Sequence, residues 1–179
     1  MRKLNLNNVE EASEFKKVTP GLYIAKIVEV EDVPEREYLK IKLDIAVGEF
    51  KNYYTELNES RGFWALTLIR SYKKLALPFF KAFVTATEKS NANYKFDEDK
   101  YLELKGKLVG VVLSEEEYKK ADGTIGGRIV VNRLRSVDEI KKGNIEIPEL
   151  KKLVLNTQET IAVKDGNFVT VEDDDELPF

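Results

Sequence analysis

Aromatic and basic side chains alternate along one segment in a pattern that suits contact with a single-stranded nucleic acid. Tyr38, Lys40 and Lys42 stand at every second position, so a strand would place all three on one face. Ammonium groups can meet phosphates there, and bases can stack on the ring for about 1 to 3 kcal/mol per base. The alternative is a solvated strand face that is simply charged, which is common where one side of a sheet faces water.

Further candidates for the same surface lie elsewhere in the chain. A loop rich in lysine and glycine after residue 118 has the charge and the freedom to close over a ligand, although a plain flexible hairpin would have the same composition. The single Trp follows Arg61-Gly62-Phe63 and suits base stacking, but a lone Trp there is also a usual core anchor. The predicted nucleic-acid contacts are Tyr38, Lys40, Lys42, Lys51, Tyr53, Tyr54, Trp64, Lys119, Lys120, Arg128, Arg133 and Arg135.

Residue types exclude much of enzyme chemistry. The chain has no Cys and no His, which removes thiolate and imidazole metal sites, Cys nucleophiles and Ser-His triads. The acidic run Asp97-Glu98-Asp99 is a weak Mg²⁺ candidate, because consecutive side chains in a polar loop point in different directions. No Gly-rich phosphate loop of the Walker type is present. We therefore expect no catalytic residue, no metal and no cofactor.

Hydrophobic periodicity predicts the elements that must position these residues. Strands are expected where β-branched residues are frequent or apolar residues alternate, and helices where apolar residues recur every three or four positions. Pro78 is well placed as the first residue of a second helix. The predicted strands are 22–30, 38–47, 50–54, 107–114 and 128–135, and the predicted helices are 63–75 and 78–89.

This order predicts a mainly β fold with an α insertion. Five strands with two helices between the third and the fourth match an OB-fold, a five-stranded, partly open barrel that binds oligonucleotides on its second and third strands. Several other small barrels share the order. The expected organisation is an N-terminal segment over 1–19, the OB-fold domain over 20–147, an extension over 148–171 that is either a hairpin or a linker, and an acidic tail over 172–179.

Charge is divided unevenly along the chain. The 179 residues carry a net charge of -3, but five of the 32 acids stand in the last eight residues. Without those five the chain is mildly basic, with 29 Lys and Arg against 27 acids. No apolar run approaches the ~20 residues that span a bilayer, so we expect a cytoplasmic protein.

The acidic tail has the composition of a docking segment. Five adjacent like charges favour solvation over a core position, while the last residue, Phe179, is aromatic and stands beside an α-carboxylate. Such an end suits a small hydrophobic pocket with a basic rim on another protein. The alternative is a tail that only improves solubility. The predicted partner-binding residues are Asp173, Asp174, Asp175, Glu176, Leu177, Pro178 and Phe179.

The tail resembles the acidic tip of bacterial and phage single-stranded DNA-binding proteins, which ends in several Asp, an aliphatic residue, Pro and Phe. It departs from that tip by the inserted Glu176 and by Leu177, which stands where the tip usually has Ile. The body is similar to proteins from phages of Gram-positive bacteria over roughly residues 18–153. The stretches that carry this likeness are Pro20-Gly21-Leu22-Tyr23, residues 30–39 and 48–54, Gly62-Phe63-Trp64, residues 69–73 and residues 77–83.

The resemblance implies non-enzymatic, largely sequence-independent binding of single-stranded DNA in phage replication or recombination, in the host cytoplasm. It implies that the tail, with Phe179 and Pro178 in the family's roles, recruits replication, recombination or repair proteins. A strand-annealing recombination protein and an adaptor or structural protein that binds only protein are the alternatives. No membrane partner is expected, and homo-oligomerisation is left open.

Overall fold

Five antiparallel strands form one open sheet in the computed structural model, which describes residues 16–154. The sheet order is β3-β2-β1-β4-β5. Its strands are β1 (Gly21–Val33), β2 (Tyr38–Ile45), β3 (Thr67–Ser71), β4 (Leu108–Lys119) and β5 (Ile125–Arg135). The helices are α1 (Tyr53–Arg61), α2 (Leu77–Ser90) and α3 (Val137–Lys142), and 3₁₀ turns lie at Pro34–Arg36, Lys74–Ala76 and Glu98–Leu104.

The long first strand holds the two halves of the sheet together. β1 pairs with β4 from Gly21 to Lys26 and with β2 from Ala25 to Val33. Its register against β2 shifts by one residue between Ile27 and Glu29, which is a β-bulge and bends the strand. Because β1 is bent, it can pair with both β2 and β4 although these two strands diverge from one another.

The core lies on one face of this sheet, beneath α2. Ile41, Leu43, Val109 and Val111 are fully buried, as expected for strands that alternate inward and outward residues. Phe83 is the largest fully buried side chain, and its helix α2 contacts β3, β4 and β5. One helix therefore covers the core between the two ends of the sheet.

The predicted strand over 50–54 is wrong, because a turn and the start of α1 occupy those residues. Aromatic residues made the segment look like a strand. Asp44 continues the alternation of Tyr38, Lys40 and Lys42 along β2, but it is buried and caps α1 although it lies outside the helix. Its carboxylate accepts hydrogen bonds from the backbone N–H groups of Tyr54 at 2.9 Å and Thr55 at 3.0 Å, which are orphan donors of the first turn.

The predicted helix over 63–75 is also wrong, because that range contains β3. Trp64 and Leu68 are four residues apart, which suited a helix, but with Leu66 between them they also follow a two-residue period. Leu66 and Leu68 are buried while Thr67 and Ile69 are exposed. Hence α1 lies between β2 and β3, and α2 is the α-helix between β3 and β4 where two were predicted.

The remaining predicted elements over the described residues are confirmed. The predictions for 22–30, 38–47, 107–114 and 128–135 correspond to β1, β2, β4 and β5, and the helix predicted over 78–89 is α2. None of the helices in residues 16–154 is long and apolar enough to cross a bilayer. The hairpin considered for 148–171 lies mostly outside the described residues, and the acidic tail lies wholly outside them; Lys151 forms a parallel bridge with Glu116 of β4.

Changing Asp44 to Asn should destabilise the domain, because the new amide would turn a donor toward backbone donors. We expect a loss of about 1 to 3 kcal/mol in unfolding free energy, measured by urea denaturation at pH 7. Glu59→Gln makes the same chemical change at an exposed position of α1 and should stay within about 0.5 kcal/mol. Equal effects of the two variants would contradict the capping role of Asp44.

Candidate anion-binding cleft

A cavity of about 330 Å³ opens where the end of β5, α3 and the segment after α3 meet. Three of its lining residues are basic and come from β5 and α3, and the segment after α3 lines it as well. The residues that line it are Arg133, Arg135, Glu139, Lys142, Asn144, Ile145 and Glu146.

Local sequence signals build the walls of this cleft. Arg133 and Arg135 alternate on β5 and therefore share one face of the strand. Gly143 ends α3 with a φ of 72° and donates its N–H to the carbonyl of Ile140 at 3.1 Å. This left-handed conformation suits glycine, and it turns the chain so that Asn144 and Glu146 line the same cavity as the two arginines.

A capping box fixes the start of α3 and engages the carboxylate of Glu139. Ser136 donates to that carboxylate through its backbone N–H at 2.9 Å and through its hydroxyl at 2.6 Å. The Ser136 hydroxyl oxygen accepts the N–H of Glu139 in return. The hydroxyl bond and then the backbone bond from Ser136 lower the pKa of Glu139 below its ordinary value, and Arg135 and Lys89 add to the effect. The carboxylate stays ionised and is committed to the helix cap.

No ion pair joins the basic side chains of the cleft to an acid among the described residues, although the charge of Arg135 acts on Glu139. Arg133, Arg135 and Lys142 take part in none of the ion pairs found over 16–154. Arg135 donates one Nη1 bond to the carbonyl of Leu134 at 2.9 Å. Glu146 is the cleft carboxylate not engaged in the cap. The balance of charge in the cleft therefore favours an anion, and the guanidinium groups have the planar donor geometry that matches oxyanions.

The predicted contacts on the sheet face lie apart from this cleft. Lys42 pairs with Glu29 at 2.9 Å, and Lys40 pairs with Glu31 at 3.4 Å. Tyr38 is half-buried on the same strand. The Nζ atom of Lys42 also lies 6.0 Å from the ring centroid of Trp64, whose indole N–H donates to the carbonyl of Leu66 at 2.9 Å. Carboxylates of β1 thus already neutralise the lysines of this face.

The predicted aromatic contacts of residues 51–54 belong to α1 and the turn before it. Lys51 is exposed in that turn. Tyr54 is buried, and burial raises the pKa of its hydroxyl above the usual range. The rings of Tyr53 and Tyr54 meet edge to face with centroids 5.1 Å apart. Tyr54 therefore contributes its ring to the core and offers no open stacking surface.

The β4–β5 hairpin holds the other predicted residues. Lys119 and Lys120 are exposed near its tip. Arg128 is paired with Glu116 at 2.6 Å, and its guanidinium carbon lies 5.4 Å from the centroid of the Tyr118 ring. Only Arg133 and Arg135, of the predicted contacts, line the cleft. Sequence reasoning did not single out Lys142 and Asn144. Ser136 and Glu139 have the spacing of a capping box and Gly143 is a helix stop, and this pattern predicts α3.

Comparison with known proteins gives one distant relative. No protein-family model matches the chain. A UPF0246 protein of Clostridioides difficile strain 630 is 28% identical to it over 159 residues, which cover 87% of this chain. The chain spans 61% of the length of that relative.

This match overturns the family suggested by the sequence. The relative bears the name of a UPF0246 protein and not of a phage single-stranded DNA-binding protein, and no protein-family model supports the resemblance. The resemblance to them is therefore wrong, and so is the function drawn from it, single-stranded DNA binding in phage replication, recombination or repair. Strand annealing and the protein-only adaptor lose their support as well. Recruitment of other proteins by the tail concerns residues outside 16–154 and stays a prediction.

Changing Ser136 to Ala should weaken α3 and should reduce the loss of unfolding free energy as the pH falls. Loss of the cap should cost about 0.5 to 2 kcal/mol at pH 7. Because the folded pKa of Glu139 lies below its ordinary value of 4.5, the cap stabilises the protein above that pH, and the stabilisation is lost as pH falls through the folded pKa. Urea denaturation at several pH values between 7 and 3 measures both effects.

The matched control for that experiment is Ser60→Ala. The Ser60 hydroxyl donates to the backbone carbonyl of Leu57, and no hydrogen bond found over residues 16–154 joins it to a carboxylate. Its removal should leave the fall in stability toward acid pH unchanged. An equal fall in the wild type and in Ser136→Ala would contradict the pKa effect assigned to the cap.

Proposed function

We propose that this chain is a non-enzymatic binding domain that holds a compact, phosphate-bearing ligand in the cleft of Arg133, Arg135 and Lys142. The observation that carries the proposal is the convergence on one cavity of three cations that have no ion-pair partner within residues 16–154. Lys40, Lys42 and Arg128 of the sheet have carboxylate partners, whereas the cations of the cleft border a cavity in which an external anion can take that place.

The strand order supports an OB-type barrel as the scaffold for this cleft. The order β3-β2-β1-β4-β5 is the order of strands around a five-stranded, partly open barrel that is cut between β3 and β5. The bulge in β1 supports the required bend, and α2 contacts both edge strands. In such a barrel the cleft would lie at the end of β5, away from the face of β2 and β3.

The size and lining of the cavity favour a small ligand with one strongly charged group. Its 330 Å³ is at the low end of the roughly 300 to 1,000 Å³ that small-molecule pockets occupy. Arg133 and Arg135 can each donate two parallel bonds to a phosphate, and Lys142 supplies a third charge. Glu139 and Glu146 would repel a second anionic group on their side. A monophosphate therefore fits better than an extended polyanion.

The titratable groups of the cleft favour binding over catalysis. General acids and bases work best with a pKa near the operating pH, whereas the pKa of Glu139 is shifted down and its carboxylate is held in the helix cap. The chain has neither His nor Cys to take that role. A cation-lined cavity with no poised proton carrier is suited to holding an anion unchanged.

Changing Arg133 to Ser should weaken phosphate binding, because a charge-assisted contact is worth about 1.5 to 3 kcal/mol, or roughly 10- to 150-fold in affinity. Calorimetric titration of the full chain at low ionic strength would measure it, with inorganic phosphate, pyrophosphate and citrate as separate ligands. Phosphate is expected to bind with a stoichiometry of one. Tighter binding of citrate would indicate a carboxylate ligand and contradict the phosphate class.

Two further variants make this test specific. Arg128→Ser removes an arginine of the same strand that is already paired with Glu116, and it should leave phosphate affinity unchanged. Glu146→Gln removes a repelling charge from the cleft wall and should tighten binding several-fold, by about 0.5 to 1 kcal/mol. Equal losses in Arg133→Ser and Arg128→Ser would show that only net charge matters and would overturn the proposal.

A further inference from the structure

A second surface combines exposed apolar and basic side chains at the start of α2. Leu75 is 84% exposed, Phe79 is 69% exposed and Leu77 is 47% exposed. Lysines flank these residues and are exposed as well. We call Lys73, Lys74, Leu75, Leu77, Phe79 and Lys81 the α2 patch.

The α2 patch is not a poorly packed part of the core. The neighbouring Phe80 turns inward and meets the rings of Tyr72, Phe83 and Phe96 at centroid distances of 6.5, 6.3 and 5.7 Å. The side of α2 that faces the core is therefore packed without Phe79. Leu77 and Phe79 are two positions apart and therefore lie on different sides of α2, so a ligand must lie across the start of the helix to contact both. Several large exposed apolar side chains in one short segment usually mark an interaction site.

Charge restricts what can cover this patch. Its three lysines form no ion pair within residues 16–154. A second copy docked through the same patch about a two-fold axis would bring lysines against lysines, which is unfavourable. The complementary occupant must combine acidic groups with apolar side chains.

A segment of this chain has that composition. Residues 172–176 are five consecutive acids, and Leu177, Pro178 and Phe179 follow them. We propose that the α2 patch binds residues 172–179 of the same chain, with the acids opposite the lysines and with Leu177 and Phe179 against Leu75, Leu77 and Phe79. The cleft of Arg133 is also cationic, but Ile145 is its only large apolar residue, so it offers little to Leu177 and Phe179.

The length of the chain permits this contact within one molecule. Val154, the last described residue, and Glu172 are 18 positions apart, which lets a chain reach at most about 60 Å. A domain of this size has a radius of gyration of about 14 Å, so every part of its surface is within reach. Tethering also gives the segment an effective concentration of roughly millimolar, so that a weak contact is populated.

Zero-length carbodiimide cross-linking of the full chain, followed by peptide mass spectrometry, tests the contact. The reagent joins carboxylates to amines that are paired. We expect links from residues 172–176 to Lys73, Lys74 and Lys81 in the monomer band, at several times the yield of links to the equally exposed Lys119 and Lys120. Phe79→Ser should lower the yield at least about threefold, since it removes apolar burial from the contact.

Matched variants separate this contact from general charge attraction. Leu177→Ser combined with Phe179→Ser keeps all five acids and should lower the yield as Phe79→Ser does, whereas Leu102→Ser, which changes another exposed leucine, should not. Links confined to a dimer band would identify a second copy as the donor and overturn the proposal. Even spreading over all exposed lysines, or insensitivity to the apolar variants, would also overturn it. None of these outcomes depends on phosphate binding by the cleft.

Discussion

At Gly110 the backbone of β4 comes so close to the start of α3 that a Cβ atom would meet the carbonyl oxygens of Arg135 and Ser136 at 2.8 Å and would clash with Ile140. Backbone atoms cannot give way as a flexible side chain can, so this approach requires glycine. It brings α3 against β4, and the turn from Arg135 into α3 follows from it. The positions of Arg133, Arg135 and Lys142 around one cavity thus depend on a residue that does not touch the ligand.

Ion pairs distinguish the charged faces of the sheet from the cleft. On the sheet face, Lys40 and Lys42 of β2 stand opposite Glu31 and Glu29 of β1, as cross-strand neighbours of opposite charge commonly do. On the hairpin, Arg128 and Glu116 are paired in the same way. In the cleft, the carboxylate of Glu139 is used to cap α3. The proposed attraction of an anion would arise because formation of the helix has already engaged that acid.

The sequence predicted the elements whose patterns are local. Alternation along β2 and β5 and the spacing of apolar residues in α2 were sufficient to predict these elements. It failed where a distant group decides the local structure, since Asp44 of β2 supplies the cap that makes Tyr53–Arg61 a helix. It also failed where the same residues fit both a helical and a strand period, as is the case for Trp64 and Leu68. Arg133 and Arg135 were recognised as candidates from charge alone, but their cavity depends on the contact at Gly110, which no local pattern reveals.

Binding of an anion between Arg133 and Arg135 is the central claim of this account, and the guanidinium groups themselves report on it. The most direct measurement follows the Nε–Hε signals of the arginines by NMR while inorganic phosphate is added to the full chain at low ionic strength. The account predicts saturable shifts for Arg133 and Arg135 with one common dissociation constant, and no saturable shift for the paired Arg128. Small, linear shifts of all arginines alike would contradict it.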